Sequence, residues 1–202
     1  MGNILDLLNS DLGKQLVQGI SSKTNATSSE INSVLNSALP AMLGGLVKNS
    51  SSDSNSIMKA LENHNGIILD NLNDFFAQGD AVAEDGNKIL GHIFGNNKDA
   101  VTNGIAGKSG VSNDKVSSII SMAAPVLMGY LGKQKSKSSI NDANGLSGLL
   151  GGLLGEKSNV LTSLLDQNGD GKLGIDDVAS FVSGNKSKGG LLGKLGGLFG
   201  GK

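Results

Sequence analysis

Apolar residues recur at intervals of three and four along two long segments of the chain. This spacing puts them on one face of an α-helix, so each segment is predicted to be a long amphipathic helix. Thr27 and Glu30 have the spacing of a capping box at the start of the first helix, and Ser112 is the expected N-cap of the second. The apolar stripes are Ile31, Val34, Leu35, Ala38, Leu39, Met42, Leu43 and Leu46 in the first segment, and Val116, Ile119, Ile120, Ala123, Leu127 and Leu131 in the second.

Shorter apolar patterns predict further helices. Gly66 and Gly79 follow two of these patterns in the way that C-cap glycines do. No segment alternates convincingly between apolar and polar residues, so the predicted fold class is all-α. The shorter helices are expected over residues 3–8, 12–20, 54–64, 67–78, 87–94 and 97–106.

The N-terminal part of the chain contains an internal repeat. Residues 1–48 align without a gap on residues 86–133 when the chain is shifted by 85 residues, and Pro40 then falls on Pro125. We interpret the two stretches as copies of one helical unit, which form a duplicated domain over residues 1–134. A proline inside a helix removes one hydrogen bond and crowds the preceding turn, so each long helix is predicted to kink or break there.

Beyond this domain the composition changes. Residues 135–144 form a predicted polar linker, and residues 145–202 contain two segments rich in glycine and leucine, 145–155 and 189–201. As helices, these segments have a bare glycine face that favours close packing or self-association. As coil, they are a flexible linker and tail, since glycine disfavours helix. Adsorption to a membrane surface is a further alternative, which the small number of lysines disfavours.

The C-terminal region also carries the one motif with clear chemistry. Residues 166–177 have the spacing of a calcium-binding loop, with oxygen-bearing side chains at loop positions 1, 3, 5 and 12 and a glycine at position 6. Position 7 contributes a backbone carbonyl, because calcium prefers oxygen ligands of either kind. The predicted ligands are Asp166, Asn168, Asp170, Asp177 and, through its carbonyl, Lys172.

Two features of the loop predict weak binding. Asp177 closes the loop where glutamate is usual, so bidentate closure is harder and Mg²⁺ is expected to compete with Ca²⁺. There is also no second loop with which it could pair. We therefore expect a dissociation constant of about 10⁻⁵–10⁻³ M. The alternative interpretation is a solvated turn whose Asp and Asn side chains bind the backbone.

Composition excludes several classes of function. The 17 basic and 18 acidic residues give a net charge of -1, every basic residue is lysine, and there is no tryptophan. A typical nucleic-acid-binding surface is therefore not expected. The absence of cysteine excludes disulfides and thiolate metal sites.

The chain offers no recognisable membrane or export signal. No run reaches the roughly 18 uncharged apolar residues of a membrane span, so no transmembrane segment is predicted. The first residues have neither the basic region nor the cleavage site of a secretory signal. A cytoplasmic location is the default expectation, and export by a route without a cleaved signal is the alternative.

No catalytic motif is apparent. His92 aligns with Leu7 in the repeat, so we interpret it as a packing residue rather than a catalyst. His64 lies near the end of a predicted helix, where an imidazole can meet free backbone carbonyls. The chain contains no HExxH motif, no nucleophile elbow and no phosphate-binding loop, so no enzyme activity is predicted.

Several motifs resemble a known family. They are NILDLL at residues 3–8, SALPAMLGGL at 37–46, ILGHIFG at 89–95 and APVLMG at 124–129. Together they resemble the bacterial family of unknown function called DUF937, which is related to the YidB-like proteins. The resemblance implies an all-helical fold and a bacterial source, and it implies no activity. The tail loop is similar to a single dockerin-type calcium loop, which also ends in aspartate and so supports the ligands named above.

These observations predict a non-enzymatic helical scaffold with a calcium-responsive C-terminal module. Ion binding would order the loop and so set how the two glycine- and leucine-rich segments approach each other. The expected partner is another protein or a second copy, bound through these segments. The alternative is a secreted or cell-surface interaction protein in which the loop is only structural.

Overall fold

The computed structural model describes residues 4–155, and this part of the chain is helical with no strand. The all-α prediction is therefore confirmed. The α-helices are α1 (Asp6–Asn9), α2 (Asp11–Thr24), α3 (Ser28–Ser52), α4 (Ser54–Asn63), α5 (Leu72–Ala77), α6 (Asp80–Phe94), α7 (Lys98–Ser109), α8 (Asn113–Lys137) and α9 (Ala143–Leu154), and two 3₁₀ helices cover Ile67–Asp70 and Gly95–Asn97.

The two long helices, α3 and α8, pack against each other at the centre of the molecule. The capping box at the start of α3 is confirmed: the Glu30 N–H donates to Thr27 Oγ1 at 3.2 Å, and the Thr27 N–H donates to Glu30 Oε2 at 2.7 Å. Ser112 is the N-cap of α8, but its side chain makes no capping bond. Every residue of the two predicted apolar stripes is buried, so these stripes form the core.

Neither proline breaks its helix, so of the two predicted outcomes, a kink or a break, the break is wrong. Pro40 and Pro125 are both buried within continuous 25-residue helices. Pro125 has no N–H to donate to the carbonyl of Ser121, four residues earlier. Helix α6 covers that carbonyl with Gly86, where a Cβ would overlap the Ser121 oxygen. Dense packing around the long helices therefore holds them together despite the lost hydrogen bond.

Short polar side chains set the bounds of the smaller helices. The predicted helix over residues 67–78 is divided at Asn71, whose Oδ1 accepts from the Asp74 N–H at 3.3 Å and so starts α5 as a new helix. Ser10 separates α1 from α2 in the same way, because its Oγ accepts from the Gly13 N–H at 3.2 Å. At Asn71, side-chain capping has thus overridden the continuous apolar pattern, whereas the division between α1 and α2 agrees with the predicted helices.

Helix α8 extends into the predicted linker. Lys135 is buried, and its Nζ lies 3.1 Å from Glu62 Oε1 on α4. Its aliphatic stem and this ion pair tie the last turn of α8 to the rest of the molecule. Residues 135–137 therefore belong to α8, and the polar connection to α9 covers residues 138–142.

The first glycine- and leucine-rich segment forms α9, which packs on α3. Asp142 caps it, with its Oδ1 accepting from the Gly145 N–H at 2.8 Å. Within the chain, the expectation of close packing through a bare glycine face is wrong for this segment: Gly148, Gly151 and Gly152 are exposed, with open space where a Cβ would lie. The leucine face is buried instead, because it removes far more apolar surface from water. Its residues are Leu146, Leu149, Leu150, Leu153 and Leu154.

The short helices α2 and α7 each contact both long helices. Helix α2 packs on α3 and α8, and α7 packs on α8 and α3. A shift of 85 residues carries both ends of α3 onto both ends of α8. Glu30 and Lys115 are separated by the same 85 residues and form an ion pair, with Nζ 2.8 Å from Oε1. Residues at matching positions thus meet where α3 and α8 begin.

Within residues 4–155, α8 is the one helix long and apolar enough to be considered as a membrane span. Most of its apolar stretch is buried inside the molecule, and the central helix of a core has the same length and composition.

Candidate functional site

The predicted calcium ligands lie outside the residues that the structure describes. These ligands are Asp166, Asn168, Asp170, Lys172 and Asp177, and the second glycine- and leucine-rich segment, residues 189–201, also lies outside. Within residues 4–155, no group of three or more His, Asp or Glu side chains could hold a metal ion. The candidate sites in this part of the chain are therefore surface grooves and ion pairs.

The two histidines lie apart in different settings. His64 ends α4, and its Nδ1 lies 2.9 Å from the Ala60 carbonyl oxygen, which confirms the prediction that it meets a carbonyl at a helix end. Its Nε2 lies 3.4 Å from Asp85 Oδ2 on α6. His92 is exposed on α6, so its interpretation as a packing residue is wrong. Its neighbours Ile89 and Ile93 supply the buried face.

A groove with basic and apolar walls lies between α2 and α8, and we call it the α2–α8 groove. Its volume is about 320 Å³. Lys133 at its edge forms an ion pair with Asp70, with Nζ 2.9 Å from Oδ1. The lining residues are Leu12, Gln15, Leu69, Tyr130, Lys133, Gln134 and Lys137.

The groove combines hydrogen-bond donors with apolar surface. Lys133, Gln134 and Lys137 offer ammonium and carboxamide donors, whereas Leu12 and Leu69 offer aliphatic surface. Such a site suits an apolar group that ends in hydrogen-bond acceptors. Sequence reasoning missed this groove, because its walls come from three elements that are far apart in the sequence. The available signal was the four- and three-residue spacing that puts Tyr130, Gln134 and Lys137 near one face of α8.

A second, more open groove lies between α2 and α3, and we call it the α2–α3 groove. Its volume is about 630 Å³. Two of its hydroxyl groups already donate to backbone: Ser21 to the Ala26 carbonyl at 2.8 Å and Ser22 to the Gly19 carbonyl at 2.7 Å. The hydroxyl protons of both serines are therefore engaged with backbone carbonyls rather than with a base that would activate a nucleophile. The lining residues are Leu8, Lys14, Val17, Gln18, Ser21, Ser22, Ser28 and Asn32.

The shifted pKa values belong to structural contacts rather than to a groove. The Lys115 ammonium, together with the Thr27 N–H and hydroxyl, lowers the pKa of Glu30 to about 2. Hydrogen bonds from Ser56 lower the pKa of Asp53, the N-cap of α4. On the surface of α6, the hydrogen bond with Lys88 lowers the pKa of Glu84. Catalytic sites typically gather such shifted groups in one cleft, and neither groove does so.

The comparisons with known proteins give one match. A family model described as a bacterial protein of unknown function, DUF937, matches residues 6–134. The search of the curated proteins and the search of the solved structures gave no match.

Proposed function

Since the chain belongs to the DUF937 family of bacterial proteins of unknown function, we propose that it is a non-enzymatic helical scaffold whose C-terminal loop binds one calcium ion. The scaffold is the packed helical body, and the loop comprises residues 166–177. Ion binding orders this loop and thereby sets the position of the chain that follows it.

The observation that carries the calcium proposal is the spacing of oxygen donors in the sequence. Asp166, Asn168 and Asp170 alternate with other residues, so that a tight turn can direct their oxygens to one point. Gly171 permits the sharp bend, and Asp177 closes the loop. Carboxylates crowded in this way repel one another without a cation, so calcium binding and ordering of the loop are coupled.

Helix α9 supports a scaffold role, because it fixes the point from which the C-terminal module starts. Leu150 and Leu153 are almost fully buried against the core. The Ile4 N–H donates to the Leu153 carbonyl at 2.9 Å, so the N-terminal segment also holds the end of this helix. The calcium loop begins eleven residues after Gly155, at Asp166. A change in the loop therefore acts on a chain that α9 anchors to the core.

The scaffold itself is, in this proposal, a duplicated unit. The matching bounds of α3 and α8 and the ion pair between Glu30 and Lys115 support this view. So does the packing, because α2 and α7 each contact the long helix of both units. Neither unit covers its apolar face alone, which is typical of repeats that fold together.

Calorimetric titration tests the calcium proposal. Metal-free protein is titrated with Ca²⁺ and then with Mg²⁺, and Asp166→Ala, which removes the first ligand, is the matched control. We expect heat of binding in the wild type, with a dissociation constant of about 10⁻⁵–10⁻³ M, and none in the variant. Equal heats in the two proteins, or no heat with millimolar Ca²⁺, would refute the proposal.

Because the predicted calcium affinity of the loop is low, its role depends on the compartment in which the protein lies. Sites in the millimolar range are typical of extracellular modules. Cell fractionation therefore distinguishes two roles. Inside the cell the loop would respond to changes in calcium, whereas on an exported protein it would be permanently filled and structural. Recovery of the chain only outside the cytoplasm would favour the second role.

A further inference from the structure

A short helix-end motif occurs three times in the chain. Its pattern is leucine, glycine, any residue, two large apolar residues and a closing glycine. The motif stands at residues 90–95 as LGHIFG, at 150–155 as LGGLLG and at 195–200 as LGGLFG.

The first two copies of the motif have the same structure. Each ends a helix, α6 or α9, and its closing glycine, Gly95 or Gly155, has a positive φ and donates its N–H to the carbonyl of the glycine four residues earlier. The leucine and both large apolar residues are buried in each copy, and both helices pack on α3. The motif thus acts as an apolar plug at a helix end that fits the side of a long helix.

Asn49 of α3 holds the end of the first plug. Its Nδ2 donates to the carbonyls of His92 at 2.9 Å and Ile93 at 3.1 Å. The last carbonyls of a helix have no partner within the helix, so this amide satisfies acceptors that would otherwise need water. Gly45 admits the plug, because a Cβ there would clash with Ile93.

The 85-residue shift carries this docking position onto the α2–α8 groove. Asn49 falls on Gln134 and Gly45 falls on Tyr130, and both Gln134 and Tyr130 line the groove. The equivalent place on α8 is an open groove beside the Tyr130 side chain, whereas α3 has only Gly45 at that position. The groove is bounded by the Tyr130 ring and by the aliphatic side chains of Leu12 and Leu69.

We propose that the third copy of the motif, residues 195–200, docks in the α2–α8 groove of its own chain. The Leu198 and Phe199 side chains would fill the apolar part, and backbone carbonyls at the end of the motif would accept from the Gln134 amide. Lys137 adds an ammonium group that can also donate to backbone carbonyls. The groove offers the third copy an amide donor and apolar walls on a long helix, as α3 offers the first copy, with the Tyr130 ring where α3 has Gly45.

The connecting chain is long enough for this docking. Forty residues separate Gly155 from Leu195, and a flexible chain of that length spans about 35 Å on average. A helical body of about 150 residues has a radius of gyration of roughly 15 Å. The attachment through α9 also gives the motif an effective concentration of about millimolar, which favours its own chain over a second copy. Docking uses apolar contacts and hydrogen-bond donors, and it needs no calcium ion in the groove itself.

Cysteine cross-linking tests the proposal, since the chain has no cysteine of its own. Gly197→Cys is combined with Gln15→Cys, which lies in the α2–α8 groove, or with the matched control Gln18→Cys, which lies in the α2–α3 groove. Both glutamines are exposed on α2, so both variants should fold, as far-ultraviolet circular dichroism will show. Disulfide formation is followed by non-reducing electrophoresis and mass spectrometry, in chelator and in Ca²⁺.

We expect the disulfide within one chain to form about tenfold faster with Gln15→Cys than with Gln18→Cys, because docking raises the local concentration at one groove only. Adding Phe199→Asp should abolish the difference, whereas Ser187→Asp, which adds the same charge outside the motif, should preserve it. Equal rates for the two grooves in both chelator and Ca²⁺ would overturn the proposal. Disulfides formed only between chains would also overturn it and assign the groove to a second copy.

Discussion

At the scale of single residues, Glu30 has two roles. It closes the capping box of α3, and it binds Lys115 near the start of α8. Both contacts favour its ionised form, which is why its pKa falls to about 2 from an ordinary value of 4.5. One carboxylate therefore stabilises the start of one long helix and its attachment to the other.

The two contacts of Glu30 give stability that depends on pH. A carboxyl group whose pKa is lower in the folded state stabilises the fold above its unfolded pKa, and this contribution is lost as the pH falls through the folded value. We therefore expect the free energy of unfolding to decrease between about pH 4.5 and pH 2, and to decrease less in Glu30→Gln. Denaturant titrations across this range measure the effect.

Nuclear magnetic resonance titration of the Glu30 carboxyl group separates its two contacts. In Lys115→Met the pKa should rise, because the largest cause of the shift is removed while the Thr27 contacts remain. An unchanged Glu30 pKa in this variant would contradict the assignment.

At the scale of elements, the contact between α6 and α8 depends on one glycine. Gly86 lies against the carbonyl of Ser121, the group that Pro125 leaves without a helical donor. The proline and the glycine thus complement each other: the first frees the carbonyl, and the second lets a neighbouring helix cover it.

Substitution of this glycine should separate the two helices. Gly86→Ala places a methyl group on the Ser121 oxygen, and we expect it to lower the free energy of unfolding by about 3 kcal/mol. Gly91→Ala is the matched control on the same helix, where a Cβ meets open space. It should raise the free energy of unfolding by up to about 1 kcal/mol, because alanine favours helix more than glycine does. Equal effects in denaturant titrations would contradict this account.

The apolar pattern of the sequence predicted the helices better than their ends. Every residue that the three- and four-residue spacing placed in the stripes of α3 and α8 is buried, and α8 buries further residues such as Met122, Val126 and Met128. It could not show that Asn71 starts a new helix or that Lys135 is buried, because both depend on particular side-chain contacts. The glycine face of α9 was misjudged for a related reason: the pattern shows two faces but not which one meets α3.

The α2–α8 groove could not be predicted from any single segment of the sequence. Lys133 and Gln134 are easily identified as a polar helix end, yet the apolar walls at Leu12 and Leu69 come from distant parts of the chain. The calcium loop is the opposite case. All of its predicted ligands lie within twelve residues, so the sequence alone predicts it.

At the scale of the whole molecule, packing joins the two ends of the helical body into one core. Helix α2 rests on α8 and helix α7 rests on α3, so neither end of the domain has a separate core. Ile20 and Ile105, which the 85-residue shift relates, are both buried. A substitution at either position should therefore destabilise the same core.

Paired substitutions test this cooperativity. Ile20→Ala and Ile105→Ala should each lower the free energy of unfolding by about 2–5 kcal/mol. Each variant should unfold in a single transition, and the slope of its free energy of unfolding against denaturant concentration should be unchanged. Gln18→Ala, an exposed position on α2, should change it by less than about 0.5 kcal/mol. Two separate transitions in either isoleucine variant would show that the halves unfold independently.

The packing of α2 on α8 and of α7 on α3 also has a consequence for synthesis on the ribosome. Helices α2 and α3 leave the ribosome first, but their partners α7 and α8 are complete only at residue 137. Until then, the nascent chain carries apolar helix faces that it cannot cover by itself, a state prone to aggregation. We expect it to need protection by chaperones for most of its elongation, and to exchange helices with a neighbouring nascent chain when that protection fails.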